Sequence, residues 1–325
     1  MVSRIGLGLA ALGRPAYITG GREDDLPDRS VDGLRARTFS MLDAAYDSGI
    51  RYFDAARSYG KAEEFLGGWL AARGYADAVC GSKWGYRYTG GWQLDADRQE
   101  VKEHTLAMFT AQLAQTRAAL GDRLALYQVH SLTSESGLLD DRGLLAALAR
   151  LRAEGVIIGL TTSGPGQADA LRRAMQATVD GRPLFTVAQV TWNLLEPSVA
   201  PAAAEAAAAG WTILIKEALA NGRLAPGTGL AGAPGTGLAG ASGTGLAGAA
   251  SELAVLAAAR GVTADAIAIA AALANPWASV VLSGAVTARQ LQTNLTALSV
   301  GDLPQLDLAE PPGAYWESRA ARPWQ

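Results

Sequence analysis

The sequence predicts a single-domain (β/α)8 TIM barrel, an α/β fold in which eight parallel strands are enclosed by helices. Eight short apolar segments alternate with helix-like segments, as expected for parallel strands joined by crossover helices. The length of 325 residues suits one barrel, which takes roughly 250 residues or more. No Gly-x-Gly-x-x-Gly turn joins the first strand to a helix, which disfavours an open, doubly wound sheet.

The predicted strands are short runs of apolar or β-branched residues bounded by polar or glycine-containing loops. The fifth run is continuously apolar, as in a strand covered on both faces. In chain order the strands are Ile5–Leu9, Tyr52–Asp54, Ala78–Lys83, Leu124–Val129, Val156–Leu160, Phe185–Val190, Trp211–Ile215 and Ser279–Leu282.

The predicted helices carry apolar residues three and four positions apart. Phe39, Leu42 and Tyr46 show this spacing in the first helix, which stops at Gly49. A long loop over residues 10–33 precedes it. The helices are predicted over Leu34–Ser48, Ala62–Arg73, Val101–Leu120, Gly143–Ala153, Ala168–Ala177, Ala200–Ala209, Ser251–Arg260, Ala264–Ala274 and Ala288–Leu298.

Composition argues against several kinds of partner and site. The formal net charge of -3 offers no basic surface for nucleic acid or an anionic membrane. One cysteine, Cys80, and two histidines, His104 and His130, exclude an internal disulfide and a multi-histidine metal centre. Neither a signal-peptide pattern nor an uninterrupted apolar stretch of about 18 residues is seen, so we expect a cytoplasmic protein without a membrane span.

An eight-residue unit is repeated between the seventh strand and the next helix. Residues 225–232 read Ala-Pro-Gly-Thr-Gly-Leu-Ala-Gly, and close copies follow at 233–240 and 241–248. Glycine-rich units with one leucine each cannot bury a core, so residues 225–248 are predicted to be a flexible inserted loop. The loop follows the end of a strand and would therefore lie on the catalytic rim of a barrel.

Four polar residues lie at or near the ends of strands two, three and four, where a barrel carries its chemistry. Asp54 and Lys83 end the second and third strands. His130 follows the fourth, and Tyr59 lies in the loop five residues after Asp54. A tyrosine of ordinary pKa, ~10, is a weak acid near neutral pH, and a neighbouring ammonium group lowers that pKa. A neutral histidine donates a hydrogen bond to a carbonyl oxygen. Each residue alone fits an ordinary loop or rim position, but together they predict an acid/base site.

The segment Arg51-Tyr-Phe-Asp-Ala-Ala-Arg-Ser-Tyr-Gly60 resembles the signature of the aldo-keto reductase family. Ala55 stands where that family more often has threonine. The resemblance implies NAD(P)H-dependent reduction of a ketone or aldehyde, or oxidation of the alcohol, without a metal. It implies these catalytic residues: Asp54 and Lys83 as a tuning pair, Tyr59 as general acid/base and His130 as the residue that orients the carbonyl.

The cofactor half of the resemblance lies after strands five to eight. Gly159-Leu-Thr-Thr162 replaces the family's Gly-x-Ser-Asn turn, and Gln189-Val-Thr-Trp-Asn193 resembles its Gln-x-x-Tyr-Asn, whose glutamine binds the nicotinamide carboxamide. Lys216-Glu-Ala-Leu-Ala-Asn-Gly222 replaces a run that begins with an aromatic residue, and residues 283–294 resemble the adenosine-phosphate segment. The implied cofactor-binding residues are Thr161, Thr162, Gln189, Lys216, Ala218, Leu219, Ser283, Gly284, Ala285, Arg289, Gln290 and Asn294.

The resemblance favours NADP(H) and leaves NAD(H) as the alternative cofactor. Members of the family more often use NADPH, whose 2′-phosphate is held by lysine or arginine after strand eight. Arg289 is the cation at the corresponding positions here, and Lys216 is a second candidate. We therefore expect weaker discrimination against NADH than is usual for the family. The resemblance covers nearly the whole chain apart from residues 10–33 and the repeat.

Aromatic residues are candidates for the substrate pocket, although some must pack in the core. The candidates are Trp84, Tyr86, Trp92, Trp192 and Trp316, with Trp324 in the C-terminal tail. His104 is predicted to be a solvated residue on a long helix. The expected partner is a small-molecule carbonyl or alcohol, and the sequence predicts no oligomeric state.

Two alternatives to a reductase stay open. The first is a non-catalytic, cofactor-binding accessory subunit on the same barrel, similar to potassium-channel accessory subunits. The second is an aldolase-type barrel enzyme in which Lys83 forms a Schiff base with the substrate.

Overall fold

The computed structural model describes residues 3–18, 24–226 and 246–324, and in these ranges eight parallel strands form a closed barrel. The predicted (β/α)8 TIM barrel is confirmed. Each strand pairs with its neighbours in chain order, and the last strand pairs with the first. The strands are β1 (Ile5–Gly8), β2 (Tyr52–Asp54), β3 (Val79–Trp84), β4 (Leu124–Leu132), β5 (Ile157–Thr162), β6 (Val187–Thr191), β7 (Thr212–Lys216) and β8 (Val280–Ser283).

Helices follow the strands and cover the outside of the barrel. Their bounds are α1 (Val31–Asp47), α2 (Ala62–Arg73), α3 (Leu106–Leu120), α4 (Arg142–Ala153), α5 (Gln167–Met175), α6 (Ala200–Ala208), α7 (Leu246–Arg260), α8 (Ala264–Ala274), α9 (Ala288–Thr296) and α10 (Pro312–Ala320). The C-terminal helix α10 was not predicted from the sequence.

The segment between β3 and α3 differs from the prediction of one helix over Val101–Leu120. Glu100–Lys102 instead pairs antiparallel with Tyr86–Tyr88 to form a hairpin above the barrel. The helix begins only after Thr105, whose side chain accepts a hydrogen bond from the Met108 amide at 3.1 Å. This N-cap fixes the start of α3 and frees the preceding residues to extend.

The predicted repeat loop lies mostly outside the described residues. Residues 227–245 are not among them, and the helix that follows, α7, begins at Leu246, inside the last copy of the repeat. Residues 246–248, which were predicted to belong to the loop, instead begin α7.

The barrel interior changes from apolar to polar along its axis. Leu126, Val187 and Leu214 form a separate buried cluster, with Tyr52 and Val280 packed against it. Because strand side chains alternate, residues two positions further on face the same way. Those residues are Gln128, Gln189 and Lys216. The polar end is the C-terminal end of the strands, where a barrel carries its chemistry.

Among the described residues, no single helix is long and apolar enough to cross a membrane, although the bent pair Glu252–Arg260 and Ala264–Ala274 passes that test when taken together. In the same residues no group of three or more histidine, cysteine, aspartate or glutamate side chains could hold a metal ion.

Two adjacent glycines in α2 test how closely the helices pack. A Cβ atom added at Gly67 would lie 2.0 Å from the Ala119 carbonyl oxygen of α3, whereas at Gly68 the nearest atom is Phe39 Cζ at 3.5 Å. We expect Gly67→Ala to lower the free energy of unfolding by about 2 kcal/mol through forced separation of the helices. The matched Gly68→Ala variant should raise it by up to about 1 kcal/mol, because alanine favours the helix. Urea unfolding of both variants checks this, and equal effects would contradict the close contact.

Candidate active site

A buried ion pair lies at the polar end of the barrel. Lys83 is fully buried and Asp54 nearly so, and the Lys83 ammonium group donates to Asp54 Oδ2 and, at 2.9 Å, to the Ala55 carbonyl oxygen. The two side chains come from neighbouring strands, β2 and β3. Burial lowers the pKa of Lys83, and the Asp54 carboxylate opposes that shift. The predicted pairing of these residues is what the structure shows.

The Asp54 carboxylate collects further hydrogen bonds on its other oxygen. Asp54 Oδ1 accepts from the Tyr52 hydroxyl at 3.1 Å, from Gln189 Nε2 at 3.0 Å and from Gln128 Nε2 at 3.4 Å. Three strands besides its own, β3, β4 and β6, therefore contribute a donor to one carboxylate. A charge taken out of water requires such partners.

Tyr59 lies against this pair, at the start of the turn that leads to α2. Its ring centroid is 4.7 Å from Lys83 Nζ, and the side chain is 8% exposed. Burial raises the pKa of Tyr59 well above 10, Asp54 raises it further, and the Arg14 guanidinium lowers it. The lowering of this pKa by Lys83, which the sequence suggested, stays a prediction.

His130 lies beside Tyr59, with the two rings 5.5 Å apart in an edge contact. The Ser58 hydroxyl is 3.4 Å from His130 Nδ1, and the Tyr86 ring packs at 4.9 Å. Burial, followed by the charges of Lys83 and Lys216, holds the pKa of His130 well below 6.5. The ring is therefore neutral at pH 7, as the predicted role requires.

His104 is not the solvated helix residue that the sequence suggested. It precedes α3, and its Nε2 lies 2.8 Å from the His130 carbonyl oxygen, to which it donates. Its ring packs against Trp84 and against Gly85, where φ is 105° and an added Cβ would lie 2.4 Å from the imidazole. Burial lowers the pKa of His104 to about 4. His104 thus supports the backbone that carries His130.

The residues predicted to hold the nicotinamide end lie at the ends of β5, β6 and β7. The Thr161 hydroxyl accepts from the Ser131 amide at 2.7 Å, and Thr162 donates to Gln167 at 3.3 Å. Lys216 donates to the Thr191 hydroxyl at 2.7 Å, and burial lowers its pKa to about 8, against the opposing effect of Glu217. Next along the chain, Ala218 is buried and Leu219 half-buried.

The residues predicted to hold the adenosine end begin α9. Thr287 and Gln290 form a capping box, so the amides of Val286, Thr287 and Gln290 already have side-chain acceptors. Gln290 Nε2 donates to Asp25 at 2.7 Å.

The other members of this group divide between surface and core. Gly284 and Arg289 are exposed and Ala285 is buried. Ser283 and Asn294 are buried against each other, with Ser283 Oγ 2.8 Å from the Asn294 amide.

One of the predicted pocket aromatics lies beside the tetrad. Tyr86 contacts His130. The prediction that Trp84 lines the substrate pocket is wrong. Its side chain is fully buried and packs against Phe109 of α3, on the face of β3 opposite Lys83.

The other four tryptophans predicted to lie near the substrate pocket have contacts with groups outside the tetrad. The Trp92 indole donates to the Arg29 carbonyl oxygen, and Trp192 packs edge-on against Trp277. Trp316 lies under Arg319 in α10, and Trp324 lies over Arg14.

Two features of the site were missed in the sequence. Arg14, in the loop after β1, is 2% exposed and lies 5.1 Å from the Tyr59 ring centroid. Glu217, after β7, receives two hydrogen bonds from Arg319 of α10, at 2.9 and 2.5 Å. Burial opposes ionisation of Glu217, but Arg319 and Lys216 bring its pKa to about 2. No periodic pattern in the sequence indicates that Arg14 is buried or that Glu217 pairs with a residue of α10.

Comparisons with known proteins give a family model, a related sequence and solved structures of similar fold. A family model described as the aldo/keto reductase family matches residues 4–311. A D-threo-aldose 1-dehydrogenase from a Pseudomonas species is 32% identical over 223 residues, covering 62% of this chain and 64% of that protein. The match thus spans less than two thirds of that relative's length.

Solved structures of low sequence identity share the fold. The glycerol dehydrogenase of Gluconobacter oxydans has a TM-score of 0.65 at 23% identity and covers 99% of this chain and 92% of its own. An aldo-keto reductase from Bacillus halodurans, in its holo form, has a TM-score of 0.63 at 18% identity and covers 98% of this chain and 92% of its own.

The lowered pKa of His104 predicts a pH-dependent stability. The unfolded chain binds a proton at His104 near pH ~6.5, whereas the folded protein does so only near pH 4, so stability falls as the pH drops through that window. From about pH 7.5 to about pH 5 the loss attributable to His104 is roughly 2 kcal/mol. His104→Gln keeps a donor to His130 but does not titrate, so it should lose less stability over this range. Urea unfolding at both pH values measures this, and an unchanged loss would contradict the assignment.

Proposed function

Because the chain belongs to the aldo/keto reductase family, we propose that it is a nicotinamide-dependent oxidoreductase that interconverts a small carbonyl compound and its alcohol. The observation that carries the proposal is the convergence of Tyr59 and His130 beside the buried Lys83–Asp54 pair, with ring centroids 5.5 Å apart. A proton donor and a neutral hydrogen-bond donor so placed can act on the same carbonyl oxygen.

In the proposed reaction Tyr59 gives its hydroxyl proton to the developing alkoxide, and takes it back when an alcohol is oxidised. With the imidazole proton on Nε2, His130 Nδ1 can accept a hydrogen bond from the Ser58 hydroxyl at 3.4 Å, and Nε2 can donate to the substrate oxygen. The Lys83–Asp54 pair holds the tyrosine ring in place through the 4.7 Å ammonium contact. A bound nicotinamide dinucleotide would supply or accept the hydride.

The side chains at the mouth of the barrel offer the amide and cationic groups that would bind such a dinucleotide. Gln189 and Lys216 lie on the polar interior at the ends of β6 and β7, near the tetrad. Arg289 is exposed in the first turn of α9 and makes no salt bridge with any residue in the described ranges. A guanidinium group in that place suits a phosphate.

The choice between the two dinucleotides rests on opposing charges at α9. Arg289 favours the 2′-phosphate of NADP(H), as the sequence suggested. The Asp25 carboxylate, bonded to Gln290 at 2.7 Å, disfavours it. The amides taken up by the capping box are not available to a phosphate either. We infer that NADP(H) and NAD(H) are both used, with little discrimination.

The other two hypotheses fit the site less well. A Schiff-base lysine must reach its substrate as a free amine, but Lys83 is fully buried and bonded to Asp54 and Ala55. An accessory subunit that does not catalyse a reaction would not require a neutral His130 in contact with the buried Tyr59. Sugars and polyols are the first substrates to try, because relatives include an aldose dehydrogenase and a glycerol dehydrogenase.

The role of Tyr59 is tested by Tyr59→Phe. We expect kcat to fall at least about a hundredfold, about 2.7 kcal/mol in activation free energy, because the variant lacks the transferable proton. Cofactor binding, followed by quenching of tryptophan fluorescence, should stay within a few-fold of wild type. Tyr75→Phe, in a ring stack remote from the site, is the matched control and should leave kcat unchanged. If Tyr59→Phe retains more than about a tenth of wild-type kcat, Tyr59 is not the acid.

Cofactor choice is tested by the charges at α9. The ratio of kcat/KM for NADPH to that for NADH should lie within about tenfold of one in the wild type. Arg289→Ala should lower the ratio and Asp25→Asn should raise it, because each removes one of two opposing charges. Dissociation constants from fluorescence titration should follow the same order. A thousandfold preference for NADPH that survives Arg289→Ala would show that the 2′-phosphate is bound elsewhere.

A further inference from the structure

Arg14 brings a second cation to the tyrosine. Its side chain is 2% exposed, and the centre of its guanidinium lies 5.1 Å from the Tyr59 ring centroid. Arg14 Nη1 donates to the Ser58 carbonyl oxygen at 2.9 Å and to Glu100 Oε2 at 2.8 Å. The arginine is thus tied both to the residue before Tyr59 and to the hairpin above the barrel.

Aromatic rings shield this guanidinium from water. Tyr17 and Trp324 lie against it, with ring centroids 5.3 and 4.6 Å from its central carbon. Arg14 Nε is buried without a hydrogen-bond partner among the described residues. A cation that is desolvated and held in this way acts more strongly on a neighbouring group than one in water does.

The two cations near Tyr59 differ in how fully their charges are offset. Lys83 touches a carboxylate that is 3% exposed, so the opposite effects of these two charges on the tyrosine partly cancel. The counterion of Arg14, Glu100, is 21% exposed and reaches solvent, which screens it. Arg14 therefore adds to the positive field that Lys83 exerts at Tyr59.

Other charged and titratable groups face Tyr59 from the surrounding elements. They are Asp54 of β2, Lys83 of β3, His130 of β4, Tyr17 and Arg14 of the loop after β1, Glu100 of the hairpin and Glu217 after β7. The carboxylates raise the pKa of Tyr59, whereas Arg14 lowers it.

We propose that Arg14 is a positioning residue that, together with Lys83, favours the phenolate form of Tyr59. The inference rests on the proposed function, in which Tyr59 moves the proton. It adds a second cation, from outside the predicted tetrad, to the electrostatic role expected of Lys83.

The test is the pH dependence of kcat/KM for alcohol oxidation in wild type and variants. Arg14→Met should move the limb that reports Tyr59 upward by about one pH unit or more. The double variant Arg14→Met/Glu100→Gln avoids an unpaired carboxylate and should show an upward shift as well. Arg14→Lys keeps the charge and should lie nearer to wild type. Arg223→Met is the matched control, since Arg223 is also paired with a glutamate, Glu310, and lies 5.8 Å from the ring of Tyr315; it should leave the limb in place.

Glu100→Gln alone gives the opposite sign and needs no change at Arg14. With its counterion neutral, Arg14 should act more strongly, so the limb should move to lower pH and oxidation at neutral pH should become faster. A role of the ion pair in structure alone predicts a loss instead.

The results separate this inference from the proposed function. An unmoved limb in the folded Arg14 variants, or a loss of rate equal at every pH, would overturn the role of Arg14 and leave Tyr59 as the acid. If the Arg14 variants do not fold, the Glu100→Gln result decides. Retention of activity by Tyr59→Phe would overturn the proposed function itself.

Discussion

The Asp54 carboxylate is the interaction on which the rest of the site depends. A carboxylate at the mouth of an apolar barrel has lost most of its hydration, and the loss must be met by donors of fixed geometry. Lys83 meets it on one oxygen, and Tyr52, Gln189 and Gln128 on the other. These bonds join strands β2, β3, β4 and β6 at their C-terminal ends. Tyr59 packs against the Lys83 ammonium group that the carboxylate holds in place.

Much of the fold and the tetrad could be predicted from the sequence because both are local. Runs of apolar residues indicate where the strands lie. Residues at the C-terminal ends of parallel strands lie on one rim of a barrel, and this does not depend on the exact register between strands. The direction of a side chain is harder to predict when the strand bounds are uncertain. Trp84 follows Lys83 directly, so alternation sends it to the helices, and a prediction based on that alternation would have removed it from the pocket.

Contacts between distant parts of the chain account for most of what the sequence did not reveal. Helix α10 is joined to the rim by the Arg319–Glu217 pair and by the Tyr315 hydroxyl, which accepts from Asn193 at 3.0 Å. Glu217 has φ at 57°, a conformation that non-glycine residues seldom adopt. The pairing with Arg319 and this backbone conformation together set the direction of the Glu217 side chain. Neither can be recognised from the sequence near Glu217.

Removal of water pushes the principal groups of the site toward their neutral forms. Burial raises the pKa of Tyr59, lowers that of His130 and lowers that of Lys83. A protonated tyrosine beside a neutral imidazole is the arrangement needed to deliver a proton to an alkoxide. In the proposed reaction this arrangement favours reduction at neutral pH, whereas oxidation requires the phenolate, which burial and the nearby carboxylates disfavour. The role proposed for Arg14, a cation whose counterion reaches solvent, is to make the phenolate, and with it the reverse direction, more accessible.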